Sequence, residues 1–416
     1  MIARTIYLWW PFAQMFLGLV LAYRYWDRIG AKTYALYYLL RMVFLFTAWP
    51  MISKVPVDIK VWLIHAQWMS DSGLFPVADF PTAYHLGFNL ILWLSYSIFH
   101  SPYSIMAAFN LFEIAAIPFM FLASKRIFGE KTAKRAVILF ITAPLCWSCN
   151  LAGQDEPIII FFSMVTLYAL AKCKYFTSGI LWFLCFAATK VLVPIYFWCM
   201  LIAAKWKGVA LLVGGMLLYW IVAFAIGINP FDFRSGTDLN SPGFDLSQAG
   251  YVRGSVWQYL RSVPKPIHFI MLLGSWGITA LVFIKALWNY GLEWMIRLRV
   301  ACVLATIAGL EFFAFYRVCY YPYMLPFLPF ALVSVLSLDI GQKRRMVIIS
   351  LFVVWLGFIA HKEDGNAWIW GLGYFVDAIL YFGYAFFIAV FMNANKKYLT
   401  SPLVGLRTVM SAVFPQ

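Results

Sequence analysis

The sequence predicts an all-α membrane protein that crosses the bilayer many times, and three observations support this fold class. Hydrophobic residues make up 64% of the 416-residue chain and charged residues only 12%. The mean hydropathy is +0.81, and the basic residues lie in short clusters between long apolar runs. A soluble domain is about 45–50% apolar and about 25% charged, and disordered chains are poor in aromatic residues, which reach 20% here. The composition therefore excludes a soluble enzyme and a disordered chain.

Long apolar runs give the order of the predicted helices. A membrane-spanning helix needs about 20 predominantly apolar residues, and we expect a bundle of about 12–13 such helices that forms one domain over residues 1–416. No small-residue cleavage site follows the first run, so we expect a retained helix and not a signal peptide. The predicted spans are 5–23, 34–52, one or more within 84–124, 136–151, 157–171, 177–189, 191–204, 209–228, 267–287, 299–316, 319–337, 346–360 and 368–391.

The basic clusters predict which loops face the cytoplasm. Under the positive-inside rule, cytoplasmic loops carry the excess of Lys and Arg. One assignment places 21 of the 32 basic residues in cytoplasmic segments, namely 24–32, 125–135, 172–176, 205–208, 285–299, 339–345 and the tail from Lys396. The net charge of +15 then reflects loop charges at a membrane and does not indicate a nucleic-acid partner. Because no Asn-x-Ser/Thr sequon occurs, a prokaryotic plasma membrane is favoured over the endoplasmic reticulum.

Residues 84–124 raise a question of parity. The segment at 53–83 is expected outside and the cluster at 125–135 inside, so an odd number of spans must separate them. The interval nevertheless holds two apolar stretches, divided by His100-Ser101-Pro102. We expect the first stretch, 84–99, to lie partly in the membrane plane or to be re-entrant.

Two loops, 53–83 and 229–266, hold most of the material outside the predicted spans on the outer side. About thirty residues are too few for an independent domain, and the chain has no Gly-x-Gly-x-x-Gly or P-loop motif for a nucleotide. Any chemistry is therefore expected at the outer membrane surface.

Asp58 is the first candidate for that chemistry. It follows a predicted helix at the membrane boundary, where a partly desolvated carboxylate can act as a general base. Alternatively, Asp58 is an interfacial acid without a catalytic role, and its charge is satisfied by Lys54, by Lys60 or by a helix N-terminus. His85 belongs to the same loop as His65, and two histidines twenty residues apart do not indicate a metal site. We therefore predict no metal and no cofactor.

The turn Gly153-Gln154-Asp155-Glu156 is the second candidate, because it places an amide and two acids between apolar helices. Such groups suit a ligand rich in hydroxyls. The alternative is that Asp155 and Glu156 serve as acids at the start of a helix, where the helix dipole favours them.

Three basic residues on the outer side are candidates for binding a phosphate. Lys190 interrupts a mostly apolar stretch and Arg317 lies beside several tyrosines, while Arg253 belongs to the loop at 229–266. A lipid phosphate would be a suitable partner for such cations. Snorkelling to the membrane interface is the alternative role for Lys190 and Arg317.

A few charged residues lie inside apolar runs, where an unpaired charge is costly. We expect each of them to have a partner, chiefly to join one helix to another. They are Arg41, Glu113, Glu311 and Asp377.

Taken in order, these segments resemble the GT-C superfamily of membrane glycosyltransferases, and more narrowly its polyprenyl-phosphate-mannose-dependent mannosyltransferases. Asp58 lies in the first large outer loop, Gly153-Gln154-Asp155 is similar to the family's Gly-Gln-Asp or Gly-Gln-Asn turn, and Thr189-Lys190 follows a Gly-containing helix. The resemblance covers about residues 34–204. The chain departs from the pattern in three places. Pro194 does not follow Lys190 directly, and the N-terminal helix before residue 34 is additional to the usual start. Asp58 is not part of an Asp-x-Asp pair, which argues against a metal requirement.

The resemblance implies a hexosyltransferase that moves a sugar, mannose in the closest branch, from a polyprenyl-phosphate donor to a lipid- or glycan-linked acceptor. The reaction would be inverting and would take place at the outer face of the membrane, with Asp58 as general base. Gln154, Asp155, Glu156 and His85 would bind the sugar or acceptor. Lys190, Arg317 and Arg253 would hold the departing phosphate.

Three other classes fit a chain with this many spans. A lipid or oligosaccharide transporter would place its polar groups near the bilayer midplane, on broken helices. An outer-face polysaccharide polymerase or ligase would rely on strongly basic outer loops. In a non-catalytic scaffold, Asp58 and Asp155 would be dispensable.

Overall fold

The computed structural model describes residues 2–47, 57–76, 79, 84–151, 153–189, 198–225, 265–288, 292–315, 321–363, 373–399, 404–405 and 409–411. All the secondary-structure elements in these ranges are helices, as the sequence predicts. The first half contains α1 Ile2–Arg24, α2 Ala31–Thr47, α3 Val57–Asp71, α4 Leu86–Phe99, α5 Pro102–Phe128, α6 Glu130–Ile141, α7 Pro144–Leu151, α8 Glu156–Ala171 and α9 Tyr175–Ala187. The second half contains α10 Trp198–Ile202, α11 Trp206–Ala225, α12 Lys265–Leu287, α13 Trp294–Phe315, α14 Leu328–Leu336, α15 Gln342–Glu363 and α16 Gly373–Ala394, with 3-10 turns at Tyr321–Phe327 and Lys396–Tyr398.

Three helical segments in the described ranges are long and apolar enough to cross a membrane: Pro102–Phe128, Ile270–Leu287 and Trp294–Phe315. Shorter apolar helices accompany them, including Glu156–Ala171 and Tyr175–Ala187. The chain is therefore consistent with a helical membrane protein. The larger total of about 12–13 spans stays a prediction.

The core of the bundle is built around α13. In its apolar stretch 89% of the residues are buried, against 44% for α5 and for the apolar stretch of α12. A helix that is hydrophobic on all sides belongs in the interior of a bundle. The faces that α5 and α12 leave exposed carry large apolar side chains such as Leu111 and Ile278, as expected for lipid contact.

Basic side chains collect at one end of the bundle, which we call the basic end and define by residues 125–135, 172, 297–299 and 339–345. There Arg126 Nε donates to the carbonyl of Ala171 at 2.7 Å, and Arg299 Nε donates to the carbonyl of Ile127 at 2.7 Å. Both acceptors are carbonyls at helix C-termini, which lack partners inside the helix and attract cations. These contacts bring together clusters that are far apart in the sequence. Which face of the membrane the basic end occupies stays a prediction.

The opposite end, which we call the Asp58 end, lies about 40 Å away, since α5 has 27 residues at 1.5 Å each. It holds the start of α3, the start of α5 and the turn between α7 and α8. The region 53–83, expected as a loop, contains the 15-residue helix α3. The loop at 229–266 lies almost wholly outside the described residues.

Helix α4 forms the first of the two apolar stretches within 84–124. An added Cβ at Gly87 would lie 2.5 Å from the carbonyl oxygen of Ala187, so the start of α4 contacts the end of α9. The other end of α4 reaches His100, directly before the start of α5, where the Ser101 side chain accepts from the backbone N–H of Tyr103. The start of α4 therefore packs against α9, with Phe88 also stacked on Phe109 of α5, and its other end adjoins the start of α5. Whether 84–99 lies partly in the membrane plane or is re-entrant stays a prediction.

An ion pair joins α2 to α5 inside the bundle. Arg41 and Glu113 form a two-pronged contact of 2.8 and 3.2 Å, and both side chains are almost completely buried. Tyr38 donates to Glu113 at 2.9 Å and Asn150 donates to it at 2.6 Å. The expectation that Arg41 and Glu113 each have a partner on another helix is confirmed. Glu311 likewise accepts a hydrogen bond from Thr279 of α12, whereas the side chain of Asp377 is outside the described part.

Candidate active site

The turn after α7 is fixed by a glycine in the left-handed region. Gly153 has a φ of +63°, and the Gln154 backbone N–H donates to the carbonyl of Cys149 at 3.0 Å. Only glycine adopts this φ without steric cost. The turn therefore ends α7 and sends the chain into α8.

The same glycine lets the turn pack closely against α3 and α5. A Cβ at Gly153 would lie 2.6 Å from Met106 Cε and 2.8 Å from Ile59 Cγ1. Ile59 is completely buried and directly follows Asp58. Close packing at Gly153 therefore holds the start of α3 beside the residues that follow in the turn.

Asp58 and Gln154 meet at this point. Gln154 Nε2 donates a hydrogen bond of 2.9 Å to Asp58 Oδ2, across 96 positions of sequence. Asp58 lies in the first turn of α3, where the helix dipole stabilises an anion. Its side chain is exposed. The contact leaves a carboxylate that is held in place on one side and accessible on the other.

Asp155 and Glu156 lie beside this contact but point into the protein. Asp155 occupies the N-cap of α8 and Glu156 its first turn. They are only 2% and 1% exposed. In this conformation Gln154 is the partly exposed member of the turn. This placement matches the alternative role as acids at a helix start, and the role in substrate binding stays a prediction for both.

His85 sits at the start of α4 and packs into the bundle. Its Nδ1 shares a hydrogen bond with the Tyr219 hydroxyl, and its ring stacks on Phe186 with centroids 5.5 Å apart. Burial lowers the pKa of His85 to about 4. The imidazole is therefore neutral near pH 7 and cannot offer a positive charge to a phosphate. The described contacts connect it with α9 and α11 and not with Asp58.

The three basic candidates Lys190, Arg253 and Arg317 lie outside the described residues. The segment that leads to Lys190 is described up to Thr189, which is buried and donates to the carbonyl of Cys185 at 2.7 Å. The end of α9 contacts Gly87 at the start of α4.

The turn is supported from the bundle interior by Tyr38, Arg41 and Asn150. Reasoning from the sequence did not connect these residues with the turn. Asn150 precedes Gly153 by three positions and donates to Glu113, which Arg41 and Tyr38 also contact. A signal was present in the sequence, because an Asn in an apolar helix ahead of a Gly turn needs a partner. Its partner could not be chosen without the fold.

A shallow apolar groove with a volume of only about 10 Å³ lies between α2 and α5. Met42, Leu45 and Phe46 line one side, and Tyr103, Met106, Ala107 and Asn110 line the other. Met106 also contacts the turn at Gly153. The groove therefore approaches the Asp58–Gln154 contact from the side of the bundle. Among the described residues, no three His, Cys, Asp or Glu side chains are grouped as a metal site would require.

Comparison of the chain with known protein families, with curated proteins and with solved structures found no match.

Proposed function

We propose that the protein is an inverting membrane glycosyltransferase that uses a polyprenyl-phosphate-linked hexose, with mannose as the first candidate, and transfers it to a lipid- or glycan-linked acceptor. The observation that carries the proposal is the hydrogen bond between Gln154 and Asp58. The two segments whose residues resemble the GT-C pattern are 96 positions apart, and they meet in space through those same residues. This meeting is what a shared catalytic centre requires.

The chemistry proposed for Asp58 is that of a general base. An acceptor hydroxyl oxygen attacks the anomeric carbon of the donor sugar and forms the new glycosidic bond. The bond from that carbon to the phosphate oxygen breaks, and the polyprenyl phosphate leaves with the electron pair. Asp58 takes the hydroxyl proton. A base must be within hydrogen-bond reach of that proton, and the exposed carboxylate of Asp58 is accessible to an acceptor hydroxyl.

Gln154 is proposed to orient the base. Its amide occupies one carboxylate oxygen of Asp58 at 2.9 Å, which limits rotation of the side chain and leaves the other oxygen for the acceptor. Correct orientation of reacting groups can account for a large share of catalysis. Lys190, Arg317 and Arg253 are proposed to neutralise the leaving phosphate, as cations at such a position stabilise developing charge.

The exposed apolar surfaces around the site support a lipid-linked donor. On α3, Val61, Ile64 and Trp68 are 44, 43 and 37% exposed, and they recur at a helical spacing along one face. Helix α4 presents Leu94 and Ile98 in the same way. Helices that expose an apolar stripe and do not cross the bilayer lie in the membrane interface. An interfacial position of α3 and α4 would present the proposed site to the sugar of a polyprenyl phosphate, which supports the proposal.

A transporter remains the competing function, and one observation favours it. Arg41 and Glu113 are charged groups deep within a bundle of apolar helices, and such groups often mark a transport path. Glu113 is held by three donors, however, from Arg41, Tyr38 and Asn150. This network fits a structural clamp that supports the turn at Gly153.

Reconstitution into proteoliposomes tests the proposal. Purified protein receives a radiolabelled polyprenyl-phosphate mannose together with a total lipid and glycan extract, and both release of polyprenyl phosphate and labelled product are measured. We expect transfer by the wild type and a loss of about 10²–10⁴-fold in rate for Asp58→Asn, which keeps the size of the side chain and removes the base. Donor binding should persist in this variant. Lys190→Ala should weaken both donor binding and turnover, because a phosphate contact exists before and during the reaction.

Asp71→Asn is the matched control, since Asp71 is also an exposed acid on α3 and lies at the far end of that helix. Its rate should equal that of the wild type. Donor movement across the bilayer with no sugar transferred would replace the proposal with a transporter. Full activity of Asp58→Asn would remove Asp58 from the mechanism.

A further inference from the structure

A polar cavity of about 360 Å³ lies at the basic end, far from Asp58. The ends of six helices surround it: α5, α6, α13, α14, α15 and α16. Ligand pockets in proteins have volumes of about 300–1,000 Å³, so the cavity can hold a small molecule or a lipid headgroup. The proposed transferase chemistry makes no use of it.

The charged residues that line the cavity are mostly cations. Arg299, Arg345 and Lys397 contribute three positive charges, and Asp339 contributes one negative charge. The Lys397–Asp339 contact is long, at 4.0 Å, and both side chains are largely exposed. An ion pair of this kind contributes little. The lining therefore carries an excess of positive charge that the cavity itself does not neutralise.

Arg299 and Arg345 have further N–H donors for a ligand in the cavity. Arg299 uses Nε on the carbonyl of Ile127, and Arg345 uses Nη2 on the carbonyl of Ile340 at 3.1 Å. Each guanidinium has five N–H donors. Within the described part of the chain, Arg345 Nε is buried and makes no hydrogen bond, a state that costs free energy unless an acceptor is supplied.

Neighbouring charges add to this excess. Burial of Arg135 of α6, together with repulsion from the nearby Arg345, lowers the pKa of Arg135. Hydroxyl and amide groups complete the lining, among them Thr132, Ser337 and Asn395. Arginine forks with hydroxyl and amide donors are the groups that bind phosphate.

We infer that this cavity binds a phosphate group, either the headgroup of an anionic phospholipid or a free phosphorylated solute. The position favours both sources, because α5 ends and α13 begins there, at the surface of the predicted membrane. Basic pockets between helix ends at this level are typical binding sites for anionic lipid headgroups. This inference is independent of the proposed transferase activity.

Binding of defined phosphates to the full-length protein tests the inference. The protein is purified in a neutral detergent, and native mass spectrometry measures retained phosphatidylglycerol and cardiolipin against phosphatidylcholine. Inorganic phosphate and pyrophosphate are added as competitors. Displacement by these anions would identify the free phosphate as a sufficient ligand, whereas retention of lipid despite them would identify the headgroup as the source.

Two double variants that each remove two positive charges distinguish binding in the cavity from binding to the surface around it. Arg345→Gln with Lys397→Gln should weaken binding of anionic lipid or phosphate by about tenfold or more, since hydrogen bonds to charged groups are lost. Lys343→Gln with Arg344→Gln removes the same charge from exposed positions at the start of the same helix α15, and it should leave binding within about twofold, as expected for exposed charges. Equal losses in the two pairs would overturn the inference, and so would the absence of binding to the wild type.

A third variant guards against loss by misfolding, because it should gain affinity. Asp339→Asn removes the acidic group that lines the cavity and is 90% exposed in its side chain. Binding should tighten by about two- to fivefold. Unchanged or weaker binding in Asp339→Asn would contradict a cavity that selects anions.

Discussion

The amide of Gln154 donates a 2.9 Å hydrogen bond to the carboxylate of Asp58, and so joins the turn before α8 to the first turn of α3. Two supports hold this contact. Gly153 packs against Ile59, and Asn150 ties the end of α7 to the buried Arg41–Glu113 pair. The exposed contact is therefore held by buried packing and hydrogen bonds.

Removal of the Gln154 donor should slow sugar transfer and spare the fold. Gln154→Met keeps the length of the side chain but leaves Asp58 without its hydrogen bond, and a hydrogen bond to a charged group contributes about 1.5–3 kcal/mol. The rate in proteoliposomes should fall by about 10- to 100-fold. Gln154→Glu should be slower still, because two carboxylates at this distance repel each other.

Gln67→Met is the control for this change. Gln67 is also an amide on α3, and it donates to the Tyr96 hydroxyl at 3.5 Å, about 13 Å along the helix from Asp58. Its rate should stay near that of the wild type. If Gln154→Met transfers sugar at the wild-type rate, Gln154 does not orient the base.

Gly153→Ala should destabilise the protein more than Gly73→Ala. The two glycines have nearly equal φ values, +63° and +65°, so the cost of the left-handed conformation is about 1–2 kcal/mol for each. Nothing lies within 4 Å of a Cβ at Gly73, whereas a Cβ at Gly153 collides with Ile59 and Met106. Overpacking adds about 1–3 kcal/mol. Thermal unfolding in detergent should show the larger drop for Gly153→Ala, and equal drops would argue that the turn does not pack against α3.

Arg41→Met should be strongly destabilising, because it leaves the Glu113 carboxylate buried without its cation. Loss of one partner of a buried pair costs about 3–5 kcal/mol. Arg41→Met combined with Glu113→Gln removes both charges and should recover most of the lost stability. Lys134→Met, which breaks an exposed pair with Glu130, should leave the unfolding midpoint unchanged. A double variant as unstable as Arg41→Met would show that charge is not the cause.

Ala107→Trp should fill the apolar groove between α2 and α5 and displace the polyprenyl chain of the donor. If the polyprenyl chain lies in the groove, displacement of about two methylene groups would raise the KM for a long-chain donor by about tenfold. A short-chain donor that does not reach the groove should be unaffected. Leu111→Trp is the control, since Leu111 lies on the same helix and is 57% exposed. Equal effects on long and short donors would place the chain elsewhere.

Several features follow from the sequence with little help from the fold. The composition and the apolar runs predict an all-helical membrane protein, and the described helices lie close to the predicted runs, as at 156–171 and 175–187. The positive-inside argument groups the clusters at 125–135 and 297–299, which the structure brings to one end. It also predicts that 84–99 lies partly in the membrane plane or is re-entrant, and this stays a prediction. These are sums over neighbouring residues or counts along the chain, so they need no coordinates.

The tertiary structure alone decided which residues meet. Glu113 had to have a partner because a charge in an apolar interior is costly, but whether that partner was Arg41, 72 positions away, depends on how α2 packs on α5. The burial of Asp155 and Glu156, the exposure of Asp58 and the cavity at the basic end likewise arise where separate helices converge. Hydropathy predicts whether a segment enters the membrane, because insertion depends on the transfer free energy of the residues in that segment. Contacts between distant side chains depend on helix packing, in which many small, non-local terms choose one arrangement.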